Sequence, residues 1–117
     1  MDQKRFHWKP EFRIRATSEY QKIQKTGRKI RVPHMLAIVT SSNLRSRVGI
    51  TVSRKVGNAV IRNKVKRLMR EAIRTEYPNL ESGWNIVLIA HPSILLIDLS
   101  QIKKSIKQVF ARLQTCH

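Results

Sequence analysis

Apolar positions recur along this chain with two different periods, and the switches between them mark the elements. Val48, Ile50 and Val52 alternate with Gly49, Thr51 and Ser53, a period of two that predicts a strand with one buried face. Met35 to Val39 is a short apolar run between Pro33-His34 and Thr40-Ser41-Ser42-Asn43, which reads as a strand and a turn. Trp84 to Ala90 is almost wholly apolar, follows Ser82-Gly83 and stops at His91-Pro92, as a buried strand does. Elsewhere the spacing becomes helical. Ile61, Val65, Leu68, Met69 and Ala72 share one arc of a helix, and Arg62, Lys66, Arg67, Arg70 and Arg74 share the opposite arc. Asn58 suits the N-cap of this helix, and Pro78 closes it near Tyr77. A last helix carries Ile102, Ile106, Val109 and Leu113 on one stripe, with Asp98 and Gln101 placed as its cap and Lys103, Lys104, Lys107 and Arg112 off the stripe. Near the start, Ser18 and Gln21 have the form of a capping box, Tyr20 and Ile23 share a face, and Gly27 supplies a stop. The order α-β-β-α-β-α predicts an α+β fold, a small mixed sheet packed against helices.

Residues 1–16 lack either period. They carry Lys4, Arg5, Lys9, Arg13 and Arg15 with Phe6, Trp8 and Phe12, and Pro10 forbids a continuous helix, so they read as a basic N-terminal arm ahead of a single domain over 17–117. A chain of 117 residues supports one core and no second domain. The longest apolar runs, Ile86 to Ala90 and Ile94 to Ile97, fall far short of the roughly 18 residues of a membrane span, and the first ten residues have no secretory signature. A cytoplasmic protein with no membrane association is expected. The single Cys116 suits a reducing compartment.

Charge changes the picture most. Against 24 Lys and Arg stand only 7 Asp and Glu, a formal net charge of +17, which calls for a polyanionic partner. Residues 53–74 hold Arg54, Lys55, Arg62, Lys64, Lys66, Arg67, Arg70 and Arg74 against Glu71 alone. A merely solvated helix mixes acids among its bases at i,i+4, whereas each like-charged pair costs about 0.2–0.5 kcal/mol, so phosphate binding is the better account. Catalytic candidates are scarce. Glu71 is in reach of Arg67 and Arg74 as a local ion pair rather than a general acid, the four histidines lack a metal-ligand spacing, and Gly27, Gly49, Gly57 and Gly83 form no phosphate loop. Neither an autonomous active site nor a bound metal or cofactor is expected.

The stretch Ser53-Arg54-Lys55-Val56-Gly57-Asn58-Ala59-Val60-Ile61-Arg62-Asn63-Lys64-Val65-Lys66-Arg67-Leu68-Met69-Arg70-Glu71 closely resembles the signature of the bacterial ribonuclease P protein component. Pro10 to Arg15, Ser18-Glu19-Tyr20, Arg47 to Val52 and Trp84 to Ala90 resemble further elements of that family, in the same order. Three positions depart from its pattern. Lys64 stands in the third place of an Arg-Asn-Arg triplet, keeping the charge and losing the fork, while Asn85 and His91 replace an acid and a base flanking the strand.

The resemblance implies a left-handed βαβ crossover around the Arg-rich helix and a role as the protein subunit of an endoribonuclease whose RNA is the catalyst. That RNA, using Mg2+, matures the 5′ end of precursor tRNA. The implied RNA-binding residues are Arg54, Lys55, Asn58, Arg62, Asn63, Lys64, Lys66, Arg67, Arg70 and Arg74. A cleft for the 5′ leader would be lined by Tyr20, Leu36 and Ile38, although alternation alone leaves open whether the two aliphatics are cleft or core. Expected partners are the catalytic RNA and precursor tRNA, with no protein partner. A ribosomal protein or RNA chaperone shares the size and charge but not the motif of residues 53–71. A DNA-binding regulator lacks support, because a strand precedes residues 58–77 where a helix-turn-helix would need a helix.

Overall fold

A computed structural model describes residues 12–14 and 16–114. The elements are α1 (Thr17–Thr26), β1 (Arg28–Val32), β2 (Met35–Ser41), β3 (Arg47–Thr51), α2 (Ala59–Glu76), β4 (Trp84–Ala90) and α3 (Leu99–Gln114), with short 3-10 turns at Tyr77–Asn79 and Pro92–Leu96. The strands form one mixed sheet in the order β1-β2-β4-β3. β1 and β4 flank β2 antiparallel, whereas β3 runs parallel to β4, so β3-α2-β4 is a crossover unit. The fold class is as the sequence predicts, with one strand more in the order.

That strand is β1, whose residues Arg28-Lys29-Ile30-Arg31-Val32 offer only two apolar positions. An edge strand needs no more, since one side of its backbone and one of its faces meet water. The start of α1 also differs from expectation. Ala16 occupies the N-cap and makes no side-chain cap, and Gly27 closes the helix in extended geometry rather than a left-handed one. At α2 the expected cap holds, with Asn58 Oδ1 accepting from Ile61 N–H at 3.0 Å. At α3 the reciprocal box forms: Gln101 N–H donates to Asp98 Oδ1 at 3.1 Å and Asp98 N–H to Gln101 Oε1 at 3.3 Å.

Strand alternation divides the core between the two sheet faces. Met35, Ala37 and Val39 of β2 join Trp84, Ile86, Leu88 and Ala90 of β4, Val48 of β3 and Ile30 of β1 on the face that α2 and α3 cover. Val65, Met69, Ala72 and Ile73 of α2 and Ile102, Ile106, Val109 and Leu113 of α3 fill that layer. On the opposite face α1 covers less, with Ile14, Ile23, Ile38 and Val87 in a small separate cluster that Tyr20, Leu36 and Ile89 border. One face is sealed, and the other is left partly open.

The last residues of the expected arm belong to the domain. Phe12 is buried, its ring stacked on Tyr77 at 5.1 Å with the Arg45 guanidinium 5.0 Å from its centroid. Arg13 bridges to Val48, and Ile14 N–H donates to Val48 O at 3.1 Å, so this segment lies along the outer edge of β3. The remainder of that arm, 1–11 and Arg15, lies outside the described residues. Between β3 and β4 the buried Ser46 makes the closure. Its hydroxyl accepts from Trp84 N–H at 3.0 Å and donates to Glu81 O at 2.5 Å, while its carbonyl accepts from Tyr77 Oη at 2.5 Å.

Candidate nucleic-acid interface

The 18 residues of α2 give five turns, and their cations spread over every face that the core leaves free. Asn63, Lys64, Arg67 and Arg70 are exposed, and Arg62 and Lys66 are half-buried at the margin of the helix. Arg54 and Lys55 stand exposed on the loop before α2, which Val56 anchors by burial and Ser53 turns through Val56 N–H to Ser53 O at 3.1 Å. Two expected residues are occupied within the fold. Asn58 is committed as the cap, and the Arg74 guanidinium forks onto Glu71, Nε to Oε1 at 3.0 Å and Nη2 to Oε2. That hydrogen bond pushes Arg74 further above the ordinary guanidinium value. By contrast Arg62 Nε is buried with no hydrogen-bond partner among the described residues.

Helical spacing separates Lys64 from Lys66 and Arg70. Lys66 and Arg70, at i and i+4, turn toward the α1 side, whereas Lys64 borders a shallow apolar hollow with Ile61, Leu68 and Leu95 on the opposite flank. Ile61, read as part of the apolar stripe, is 36% exposed there.

On the open sheet face the three cleft residues fall in three places. Tyr20 lines a hollow of about 270 Å³ with Arg13, Lys66 and Arg70. Its hydroxyl accepts from Ile50 N–H at 3.1 Å, and burial pushes its phenol above the ordinary value, so it stays a neutral hydrogen-bonding group. The ring lies so close to β3 that a Cβ at Gly49 would come within 2.5 Å of Tyr20 Oη. Leu36 lies half-buried in a larger groove of about 690 Å³ with Arg31, His34, Lys55 and Ile89. Ile38 is in neither, being 4% exposed beneath α1.

Sequence reading passed over Arg13, Arg31, His34 and Ile89 as lining residues. The continuous apolar run of β4 concealed Ile89, because it carries no sign of which face is open. At the far end of this face Glu19 Oε2 accepts from Arg47 Nη2 at 2.6 Å, and Arg47 Nε donates to Asn85 Oδ1 at 3.3 Å, fastening α1 to β3 and β4. The hydrogen bond from Arg47 holds the Glu19 carboxyl below its usual range.

An aromatic ring and cations meet beside α2, and a separate apolar groove with cations of its own lies at the end of the sheet, the kinds of surface that single-stranded nucleic acid requires. Known proteins share the fold. A family model described as Ribonuclease P matches residues 8–114. The ribonuclease P protein component of Roseiflexus castenholzii is 34% identical over 104 residues, covering 86% of this chain and 84% of its own length. That of an Exiguobacterium species is 34% identical over 105 residues, covering 89% and 91%. Among solved structures, a Staphylococcus aureus RNase P protein mutant with defective mRNA degradation activity superposes with a TM-score of 0.78 at 28% identity, covering 89% of each chain. The RNase P protein from Thermotoga maritima gives 0.77 at 27% identity, covering 86% of this chain and 96% of its own. With its signature helix, its mixed sheet and these relatives in agreement over nearly all of its length, the chain belongs to the ribonuclease P protein family, as the protein component of the tRNA-processing endoribonuclease.

Proposed function

We propose that the cations of α2 and its preceding loop lie on the catalytic RNA, while the open sheet face takes the 5′ leader of precursor tRNA. The observation that carries this reading is the double position of Lys66 and Arg70, which stand on the cationic flank of α2 and also line the Tyr20 hollow. Catalytic RNA and leader would thus meet along one helix. Arg54, Lys55, Arg62, Asn63, Lys64, Lys66, Arg67 and Arg70 make the RNA contacts, and Asn58 and Arg74 act by holding the helix that presents them. Tyr20 and Leu36 offer surface to leader bases, and Ile38 supports them from beneath α1.

In this division of labour the RNA performs phosphodiester hydrolysis with its own Mg2+, and the protein lowers the Mg2+ needed by offsetting phosphate repulsion. The holoenzyme works in the cytoplasm; no helix among the described residues is long and apolar enough to cross a membrane. Reconstituted cleavage tests the reading. Protein alone cleaves nothing, RNA alone is active at high Mg2+, and the protein restores activity at low Mg2+. Replacing Leu36 by Ala, a half-buried side chain whose loss spares the main core, weakens precursor binding by about 1 kcal/mol or more and leaves mature tRNA unaffected, as loss of a base-stacking surface would. Equal losses on both RNAs would remove the leader from this face.

A further inference from the structure

Among the described residues five large apolar side chains stand exposed, and four of them, Val60, Ile61, Leu95 and Leu96, fall on two neighbouring segments. Val60 and Ile61 open α2, and Leu95 and Leu96 end the 3-10 turn before α3. Ile61 and Leu95 share the hollow of about 250 Å³ beside Lys64, with Leu68, Ile94 and Ile97 completing its walls. The turn explains why its leucines are outside. A 3-10 turn repeats every three residues, so the buried Ile94 and the half-buried Ile97 share its inner side and leave Leu95 and Leu96 outward. Packing asks nothing of Leu96, which is 84% exposed, and little of Leu95. Apolar surface clustered in this way marks a contact site.

Charge, continuity and size identify what covers it. Lys64 is the one charged residue lining the hollow, and no Asp or Glu joins it. The acids that follow in sequence are engaged, Glu71 by Arg74 and Asp98 by the N–H of Gln101. A second copy of a chain bearing +17 is repelled from such a site, and a polyanion is drawn to it. Val60 and Ile61 lie four and three positions before Lys64, and Arg67 lies three after it, so the apolar patch runs into the exposed cations along one flank of α2. At about 250 Å³ the hollow is smaller than the roughly 300–1,000 Å³ of sites for drug-sized molecules. It has room for one flat ring system and not for the row of anchors that an amphipathic helix presents. A nucleotide joins these requirements, with apolar faces on its base and a phosphate for the lysine.

We infer that the hollow between α2 and the 3-10 turn receives one unpaired base of the catalytic RNA, its faces against Ile61, Leu68 and Leu95 and its phosphate on Lys64. The inference rests on α2 lying on that RNA. Bases outside a duplex are open to such capture, because they can be held between apolar side chains. The test is titration of the full chain with its catalytic RNA over a range of salt, which reads an affinity and a salt slope for each variant. Leu95→Gln, at an exposed position, weakens binding about fivefold to tenfold and leaves the slope unchanged, since an apolar contact releases no counterions. Leu95→Met keeps the natural affinity. So does Leu44→Gln, which alters the fifth exposed side chain, on the turn between β2 and β3. Base-directed chemical probing supplies a second readout: the natural protein protects an unpaired base that stays reactive with Leu95→Gln, and thermal melting checks that each variant is folded. Unchanged affinity with Leu95→Gln, as a surface for another protein would give, or the absence of any protected unpaired base, overturns the inference. A loss of affinity that comes with a flatter slope means displaced cations instead of a lost base contact, and overturns it too. In each of these cases α2 keeps its place on the RNA as long as Arg67→Ala still flattens the slope. If Arg67→Ala alters neither affinity nor slope, the placement of α2 and the base site fall together.

Discussion

Tyr20 ties α1 to β3 through a hydroxyl on Ile50 and a ring laid on Gly49, so its availability to a ligand depends on its packing. A methyl group at Gly49 would collide with the ring, whose hydroxyl oxygen would lie 2.5 Å away. Gly49→Ala is therefore expected to cost about 1–3 kcal/mol, as overpacking does, and to reduce precursor affinity by moving Tyr20 off Lys66 and Arg70. Urea unfolding and precursor binding measured on the same variant check both parts; unchanged stability would show that the ring yields freely. None of this coupling was legible in the sequence, where Tyr20 and Gly49 lie 29 positions apart and the glycine reads only as a polar-face member of an alternating strand. Ile38 shows the opposite limit. Alternation placed it on the face of Leu36 but could not show that α1 covers one and spares the other.

Elements with a strong local signature were the legible ones. α2, β4 and α3 emerge at their expected places: α2 and α3 each join an apolar stripe to a capping residue, Pro78 follows α2, and β4 is an apolar run bracketed by Gly83 and Pro92. β1 escaped because its pairing to β2, from Arg28 with Val39 to Val32 with Met35, stabilises a segment too polar to announce itself. The cap of α2 carries more than usual weight, since no acidic residue in its first turn offsets the positive helix end beneath a row of cations. Asn58→Ala should cost about 1 kcal/mol, within the roughly 0.5–2 typical of N-caps, and should lower affinity for the catalytic RNA by fraying the turn that carries Arg62. Thermal melting together with RNA titration reads both effects. Asn58→Ser, which restores an acceptor, should recover them, and failure to recover would assign Asn58 a direct RNA contact instead.

At the scale of the whole molecule, +17 makes association with RNA an ion-exchange process. Each phosphate neutralised contributes about 0.7–0.9 to the slope of log affinity against log salt, so the several exposed cations of α2 give a steep line. Arg67→Ala, at an exposed position away from the core, should flatten that line by about one contact without loss of stability, whereas Arg74→Ala should change it less because Glu71 already engages that side chain. Equal flattening by both would mean that RNA displaces Glu71. The strand order has a consequence for how the chain is made. β4 lies between β2 and β3 although it follows both in the sequence, and Ser46 cannot close on Trp84 before that residue exists. A ribosome that has released residues through 83 has therefore produced a two-stranded hairpin, a β3 that lacks its β4 partner and the full cationic helix, with no completed sheet on which to lay it. For that interval the nascent chain is a polycation without its sheet, surrounded by ribosomal RNA, and completion of the sheet waits on the seven residues of β4.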